Sequence, residues 1–166
     1  MSEEIMSFLT FGAVSARASA EKSILACGAF TEKHGIVIDE RCSAALAEAK
    51  TKALGVSGRV EFGESAAAVI IEAFADSPYL SNENFTETMS VVIGVFYEAK
   101  NAVADRVSDR ALAEFLRRAF DGVCGGDADS LGGTVEGLVR HINGGGAVCD
   151  FDGDIREPGG EEESEV

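Results

Sequence analysis

The fold is decided by the stretch FTETMSVVIGVFYEAKNAV, residues 85–103. Its apolar residues recur at alternating spacings of 4 and 3, the period of one face of an α-helix: Phe85, Met89, Val92, Phe96, Ala99 and Val103. Such a stripe is typical of a helix at the centre of a bundle. We expect Ser81 to cap it, because a serine hydroxyl can accept from the free amides of a first turn. The segment predicts one long central helix.

Further amphipathic helices are predicted on both sides of this segment. Asp39 and Ser108 stand where N-caps belong, and Gly35, Gly55 and Gly122 stand where helices end. Residues 56–63 alternate polar and apolar side chains, which fits either a connector or a short strand. The sequence predicts an all-α fold, a compact bundle of about five to six helices, with helices expected near residues 18–33, 39–55, 65–76, 81–103, 108–122 and 131–142.

The composition of the chain changes at residue 143. The chain has 29 acidic and 14 basic residues, a net charge of −15. Residues 144–166 hold eight of those acids and one of those bases, together with three consecutive glycines. A segment so polar has too little apolar surface to offset its conformational entropy. We predict a helical domain over 1–143 and a disordered acidic C-terminal tail over 144–166.

The charge balance and the hydropathy disfavour two classes of partner. A net charge of −15 repels a phosphate backbone, and no stripe of Lys and Arg with interleaved aromatics occurs, so no nucleic-acid partner is predicted. No run approaches the ~18 apolar residues of a membrane span. Glu3 and Glu4 occupy the place where a secretion signal has positive charges. The sequence therefore predicts a cytoplasmic protein with no membrane partner.

The cysteines give no metal or redox motif. Four are present, far apart and without a C-x-x-C pair: Cys27, Cys42, Cys124 and Cys149. Zinc knuckles and thioredoxin-type sites need that close spacing. We predict reduced thiols and no cofactor.

The acidic tail contains a partial calcium motif. Asp150, Asp152 and Asp154 match positions one, three and five of an EF-hand loop, and Glu161 matches position twelve. Ile155 stands at position six, where the loop needs glycine. The alternatives are a low-affinity divalent-cation site and a solvated acidic tail.

Polar side chains near the third and fourth predicted helices form the candidate interaction face, which consists of Arg59, Tyr79, Tyr97, Lys100 and Asn101. The last three lie within five residues on one helix and can share a flank beside the apolar stripe. The alternative is that these groups pack and pair as ordinary surface residues, with the Tyr97 hydroxyl at the rim of the core.

An enzyme is the least supported reading of the same region. Glu61, Asp76 and Lys100 carry groups that serve as acids and bases, but no motif predicts that they converge, and we predict no catalytic residues. The glycine-rich stretch 122–133 lacks the Gly-Lys-Ser/Thr ending of a phosphate loop and is predicted to connect two helices.

Short segments of the chain resemble a known family. They are EKHG at 32–35, GRVEFG at 58–63, DSPYLS at 76–81, FYEAKN at 96–101 and the Ser108-Asp109 pair. Together they resemble a family of short helical bacterial proteins known only as a domain of unknown function. The resemblance covers about residues 20–142 and implies a bacterial cytoplasmic protein, without an activity or catalytic residues.

The sequence therefore favours a non-catalytic helical module for protein interaction or regulation. Two alternatives remain open at this point: cation binding through the tail, and an unrecognised enzyme. The identity of a protein partner and self-association are also left open.

Overall fold

The computed structural model describes residues 16–58, 61 and 65–151. Their secondary structure is helical, and no strand occurs among them, which confirms the predicted all-α bundle. The helices are α1 (16–26), α2 (Gly28–Thr31), α3 (Glu40–Ser57), α4 (Ala66–Phe74), α5 (Phe85–Ala102), α6 (Asp109–Asp121) and α7 (Leu131–Asn143), with 3-10 turns at Glu32–His34, Ala128–Ser130 and Val148–Asp150.

Helix α5 is the centre of the bundle, as its apolar stripe predicts. All six residues of the stripe are at most 1% exposed. The helix contacts α3, α4, α6 and α7, so its apolar face meets neighbours on several sides. A helix surrounded in this way is stabilised by tertiary packing more than by its own propensity.

One end of the bundle is formed where α4 and α6 end, and we call it the Tyr79 end. The rings of Phe74 and Phe120 lie there with centroids 5.4 Å apart. The Ser77 hydroxyl donates to Asp121 Oδ1 at 2.6 Å, and the ring of Tyr79 meets Phe120 edge-on at 6.0 Å. Helix α5 begins at this end and runs antiparallel to α4 and α6.

The opposite end, where α5 ends and α6 begins, is the Lys100 end. Lys100 Nζ pairs with Asp109 Oδ1 at 2.8 Å across the connection. The side chain of Asn143, the last residue of α7, donates to the Ala102 carbonyl at 3.4 Å. Helices α5 and α7 therefore end side by side and run parallel.

Two of the predicted N-caps are confirmed, and one is wrong. The Cys42 amide donates to Asp39 Oδ1 at 2.7 Å, and the Ala111 amide donates to Ser108 Oγ at 3.2 Å. Helix α5, in contrast, begins at Phe85 and not at Ser81. The residues between form a turn, because the Ser81 amide donates to the side chain of Asn84 at 2.8 Å.

The predicted first helix is interrupted. It was expected over 18–33, but the helix breaks at Cys27, resumes as α2 and closes with a 3-10 turn. Gly28 faces the backbone and Cβ of Ile38, so the break brings the chain against the extended link 36–38 that follows. Gly35 is left-handed, with φ 80°, and ends the segment as predicted.

The described residues include only part of the segment 56–63. Helix α3 continues two residues beyond Gly55 to Ser57 and ends at the left-handed Gly58. Residues 59, 60 and 62–64 lie outside the described residues. The described part favours a helix end and a connector over a strand.

The first eight residues assigned by sequence to the disordered tail, 144–151, are ordered in the structure. Phe151 packs on Phe115 and His141, with ring centroids 5.8 and 5.4 Å apart, and its ring end lies close to Gly137 of α7. One aromatic side chain thus anchors a glycine-rich link to the domain. Residues 152–166 lie outside the described residues.

The connection between α5 and α6 holds two strained residues. Ala104 and Asp105 have φ of 51° and 59°, a conformation that costs a residue with a Cβ about 1–2 kcal/mol. We expect Ala104→Gly to raise the free energy of unfolding by about 0.5–1 kcal/mol, because the gain in the native state exceeds the added entropy of the unfolded chain. Urea denaturation measures this. Ala18→Gly, in the exposed face of α1, should have the opposite sign, and equal effects of the two would contradict the interpretation.

Candidate functional site

The side chain of Tyr97 is buried in a polar cluster between α3, α4 and α5. Its hydroxyl donates to Glu61 Oε2 at 2.5 Å, and Lys50 Nζ pairs with Glu61 Oε1 at 2.6 Å. Lys50 also donates to Ser65 Oγ at 3.0 Å, and the Ala66 amide donates to Glu61 Oε2 at 3.4 Å. Glu61 thus joins the first turn of α4 to α3 and α5.

The chemistry of this cluster is that of a structural contact. Burial, followed by the hydrogen bond to Glu61, raises the pKa of Tyr97 well above its ordinary value, so the phenol stays protonated. Lys50 Nζ is held between the Glu61 carboxylate and the Ser65 hydroxyl. The polar groups of the cluster thus bond to one another across three elements of the fold.

Lys100 is engaged at the connection between α5 and α6. Besides its pair with Asp109, its Nζ donates to the Val107 carbonyl, and the side chain is 14% exposed. Asn101, the next residue, is exposed. Lys100 therefore stabilises the connection between α5 and α6, and its ammonium group is already bonded within the fold.

A second polar cluster lies at the Tyr79 end, around Arg117 of α6. Its guanidinium pairs with Asp76 and with Asp121 Oδ2, the latter at 2.5 Å, and donates to the Ala73 carbonyl at 2.6 Å. The hydrogen bond from Arg117 holds the pKa of Asp76 below its ordinary value, and the charge of His34 acts in the same direction. No local pattern in the sequence indicates a cluster around Arg117, because its pair with Asp76 joins residues 41 positions apart.

Tyr79 is the exposed tyrosine of the candidate face. It is 42% exposed, its ring lies edge-on to Phe120, and its carbonyl accepts from the Asn84 side chain at 2.9 Å. Gly126, left-handed with φ 84°, leaves the space that the ring occupies. A glycine in the loop after α6 is thus required by an aromatic ring from the loop before α5.

The structure divides the residues predicted to form one interaction face. Tyr97, Lys100 and Asn101 lie toward the Lys100 end of α5, whereas Tyr79 lies at the opposite end, about 18 Å away along the helix axis. Arg59 lies outside the described residues. Tyr97 is 4% exposed, so its hydroxyl points into the cluster and not to the rim of the core.

The described cysteines are free thiols, and three of the four are buried. Burial raises the pKa of Cys27, Cys42 and Cys124 above the ordinary value, which keeps each one protonated and unreactive. No group of three or more His, Cys, Asp or Glu side chains within the described ranges is arranged to hold a metal ion. Of the partial calcium motif, Asp150 is described and exposed, whereas Asp152, Asp154 and Glu161 lie outside the described residues.

A family model matches the domain that these clusters hold together. Its description is a family of unknown function, DUF6323, and the match covers residues 23–147. The chain belongs to this family. The match confirms the resemblance seen over about residues 20–142 and extends it into the segment that Phe151 anchors. No curated protein and no solved structure matches the chain.

The family description supplies no activity, so the functional reading rests on the geometry. None of the helices described here combines the length and the apolar character needed to cross a membrane.

Proposed function

We propose that the chain is a non-catalytic protein-interaction module of the cytoplasm that binds its partner with the Tyr79 end. One observation carries this proposal. Six large apolar side chains are exposed in the described part of the chain, and four of them lie at this end: Phe30, Val37, Tyr79 and Val123. We call these four residues the Tyr79 surface.

Contacts around the four residues place them together. The Val37 amide donates to the side chain of Asn82 at 3.0 Å, three residues after Tyr79. Phe30 packs on His34, with ring centroids 5.5 Å apart, and His34 acts electrostatically on Asp76 beside Ser77. These contacts bring α2 and the link 36–38 to the loop that carries Tyr79.

Val123 joins the same surface from the loop after α6. It belongs to the turn that contains Gly126, the residue against which the Tyr79 ring lies. Exposed apolar side chains are unremarkable when scattered, but a group of them at one place indicates an interaction site. A half-exposed tyrosine within such a group is typical of the residues that contribute most to binding.

The polar groups considered for catalysis support the same choice. Glu61, Asp76 and Lys100 are each held by a partner from another element of the fold, and Asp76 lies at the Tyr79 end, whereas Glu61 and Lys100 lie toward the Lys100 end. Catalytic groups need to face one reacting atom. The contacts of Glu61, Asp76 and Lys100 join elements of the fold and so stabilise the bundle.

The test uses two exposed valines. Val123→Asp places a charge on the Tyr79 surface, whereas Val56→Asp places the same charge near the end of α3, about 24 Å along that helix from its start at the Tyr79 end. Affinity purification of the tagged full chain from the cells that produce it should yield one stoichiometric protein. Isothermal titration with that protein, once purified, should give a Kd weakened about tenfold or more by Val123→Asp and unchanged by Val56→Asp.

Two results would overturn the proposal. One is a partner whose affinity falls equally in the two variants, which would make net charge the determinant. The other is recovery of a bound metabolite or metal ion with no protein, which would favour the enzyme or the cation site of the tail. Circular dichroism melts of both variants establish that they are folded.

A further inference from the structure

A groove on the side of the bundle, separate from the Tyr79 surface, lies between α5 and α7. It has a volume of about 340 Å³. Ala99 and Val135 form its floor and are buried, and Val95 and Val139 form its walls. Ala102 has only a methyl side chain and Gly132 has none, which leaves the groove open at the backbone of each helix. The floor is thus apolar in a place that solvent reaches.

The two helices that form the groove are fixed relative to each other. Besides the contact from Asn143 to the Ala102 carbonyl, Arg106 donates to the Ile142 carbonyl at 3.4 Å and to the Asn143 side chain. These bonds join the ends of α5 and α7. The groove is therefore formed before anything binds, which lowers the entropic cost of binding.

The edges of the groove carry two carboxylates and one guanidinium. Glu98 of α5 and Glu136 of α7 lie on opposite edges, both exposed, and neither makes a salt bridge with a residue that the structure describes. Arg140 lines the groove one turn beyond Glu136, a spacing that permits an ion pair, yet the two form none. The rim therefore has a net negative charge, with one carboxylate on each helix, and is complementary to an apolar group flanked by positive charges.

We propose that this groove binds an amphipathic helix of a partner protein with Lys or Arg on both flanks of its apolar face. The length supports a helix: the lining runs from Val95 to Ala102 and from Gly132 to Arg140, about 10–12 Å, which two turns of a helix would cover. Apolar residues at i, i+4 and i+7 of the ligand would face the floor. The net charge of −15 also favours a basic partner.

The test uses a defined probe with the full chain. The probe is a fluorescent amphipathic peptide of about four turns made of Leu and Lys only, paired with a Leu and Glu peptide of the same pattern. Fluorescence anisotropy should show binding of the Lys peptide alone. The double variant Glu98→Lys/Glu136→Lys should weaken that binding about tenfold or more, as should Val139→Glu, which acts on the apolar wall.

The controls separate this proposal from the previous one. The double variant Glu114→Lys/Glu48→Lys makes the same change of charge on exposed positions of α6 and α3, and Tyr79→Ala alters the Tyr79 surface; both should bind the Lys peptide within about twofold of the unmodified chain. Absence of binding, or equal weakening by the two charge-reversal double variants, would overturn the groove as the site. So would a dimer of the free chain that Val139→Glu dissociates, because a second copy would then occupy the groove.

Discussion

Glu61→Ala is expected to lower the free energy of unfolding by about 3 kcal/mol, and Tyr97→Phe by about 2 kcal/mol. The alanine leaves the Tyr97 hydroxyl without its acceptor and Lys50 without its counter-ion, and all three side chains are largely shielded from water, at 4% exposure for Tyr97, 12% for Lys50 and 16% for Glu61. Loss of one partner from a buried charge pair costs more than the pair itself contributes. The phenylalanine removes one charge-assisted hydrogen bond and keeps the packing of the ring.

The matched control is the other tyrosine. Tyr79→Phe removes an exposed hydroxyl that has no hydrogen-bond partner among the described residues, and it should change the free energy of unfolding by less than about 0.5 kcal/mol. Urea denaturation followed by circular dichroism gives all three values. If Glu61→Ala were as stable as the unmodified chain, the cluster would not be structural, and the enzyme hypothesis for Glu61 would become the better one.

The same cluster predicts how stability depends on pH. The folded-state pKa of Tyr97 lies above that of the unfolded chain, so this contribution to stability is complete below about pH 10 and is lost as the pH rises above it. Each pH unit in that range costs up to about 1.4 kcal/mol. Tyr97→Phe should remove this part of the alkaline destabilisation. The chain has two tyrosines and no tryptophan, so tyrosinate absorbance of the variant assigns the two phenols directly.

The elements predicted correctly from the sequence are those specified by neighbouring residues. The stripe of α5 follows from a local period, and the caps at Asp39 and Ser108 follow from a side chain and an amide three residues apart. The break at Cys27 could not be predicted in this way. It accompanies a contact between Gly28 and Ile38 that forms only after the chain has turned, which is a tertiary contact.

The candidate interaction face shows why a site is harder to predict from the sequence than a helix. Tyr79 and Tyr97 were grouped because their segments are close in sequence, but a helix of 18 residues separates its two ends by about 27 Å. The burial of Tyr97 depends on Glu61 and Lys50 from other elements. Phe30 and Val123 join Tyr79 only through the fold, and the pattern of residues along the chain contains no signal for that grouping.

The anchoring of residues 144–151 also depends on contacts between residues that are distant in sequence. The glycines and acids there predict disorder from composition, but specific contacts hold the segment. Phe151 reaches Phe115 and the flank of α7 at Gly137, where the absence of a side chain leaves room for its ring. The amides of the three glycines also donate to carbonyls at the end of α7. Composition averages over a segment, whereas a few specific contacts can order it.

Gly126→Ala is expected to lower the free energy of unfolding by about 2–3 kcal/mol and to weaken partner binding at the Tyr79 surface. Gly126 has φ 84°, which strains any residue with a Cβ by about 1 kcal/mol. Its new Cβ would also lie 2.7 Å from the Cβ of Tyr79 and closer still to the ring, so the ring must leave Phe120. Overpacking of this kind costs about 1–3 kcal/mol.

Gly125→Ala provides the matched control in the same turn. Gly125 has φ 56°, and no atom lies within 4 Å of the position that its Cβ would take, so the variant should carry the backbone strain alone, about 1 kcal/mol. In the background Tyr79→Gly, the two glycine variants should become equally costly, because the Cβ and the ring that distinguish them are both absent. Gly126→Ala should also lower the affinity of the chain for the captured partner, whereas Gly125→Ala should leave that affinity unchanged. If both variants destabilised the chain equally in the presence of Tyr79, the ring would not depend on Gly126, and the placement of Tyr79 against the loop that carries Val123 would be wrong.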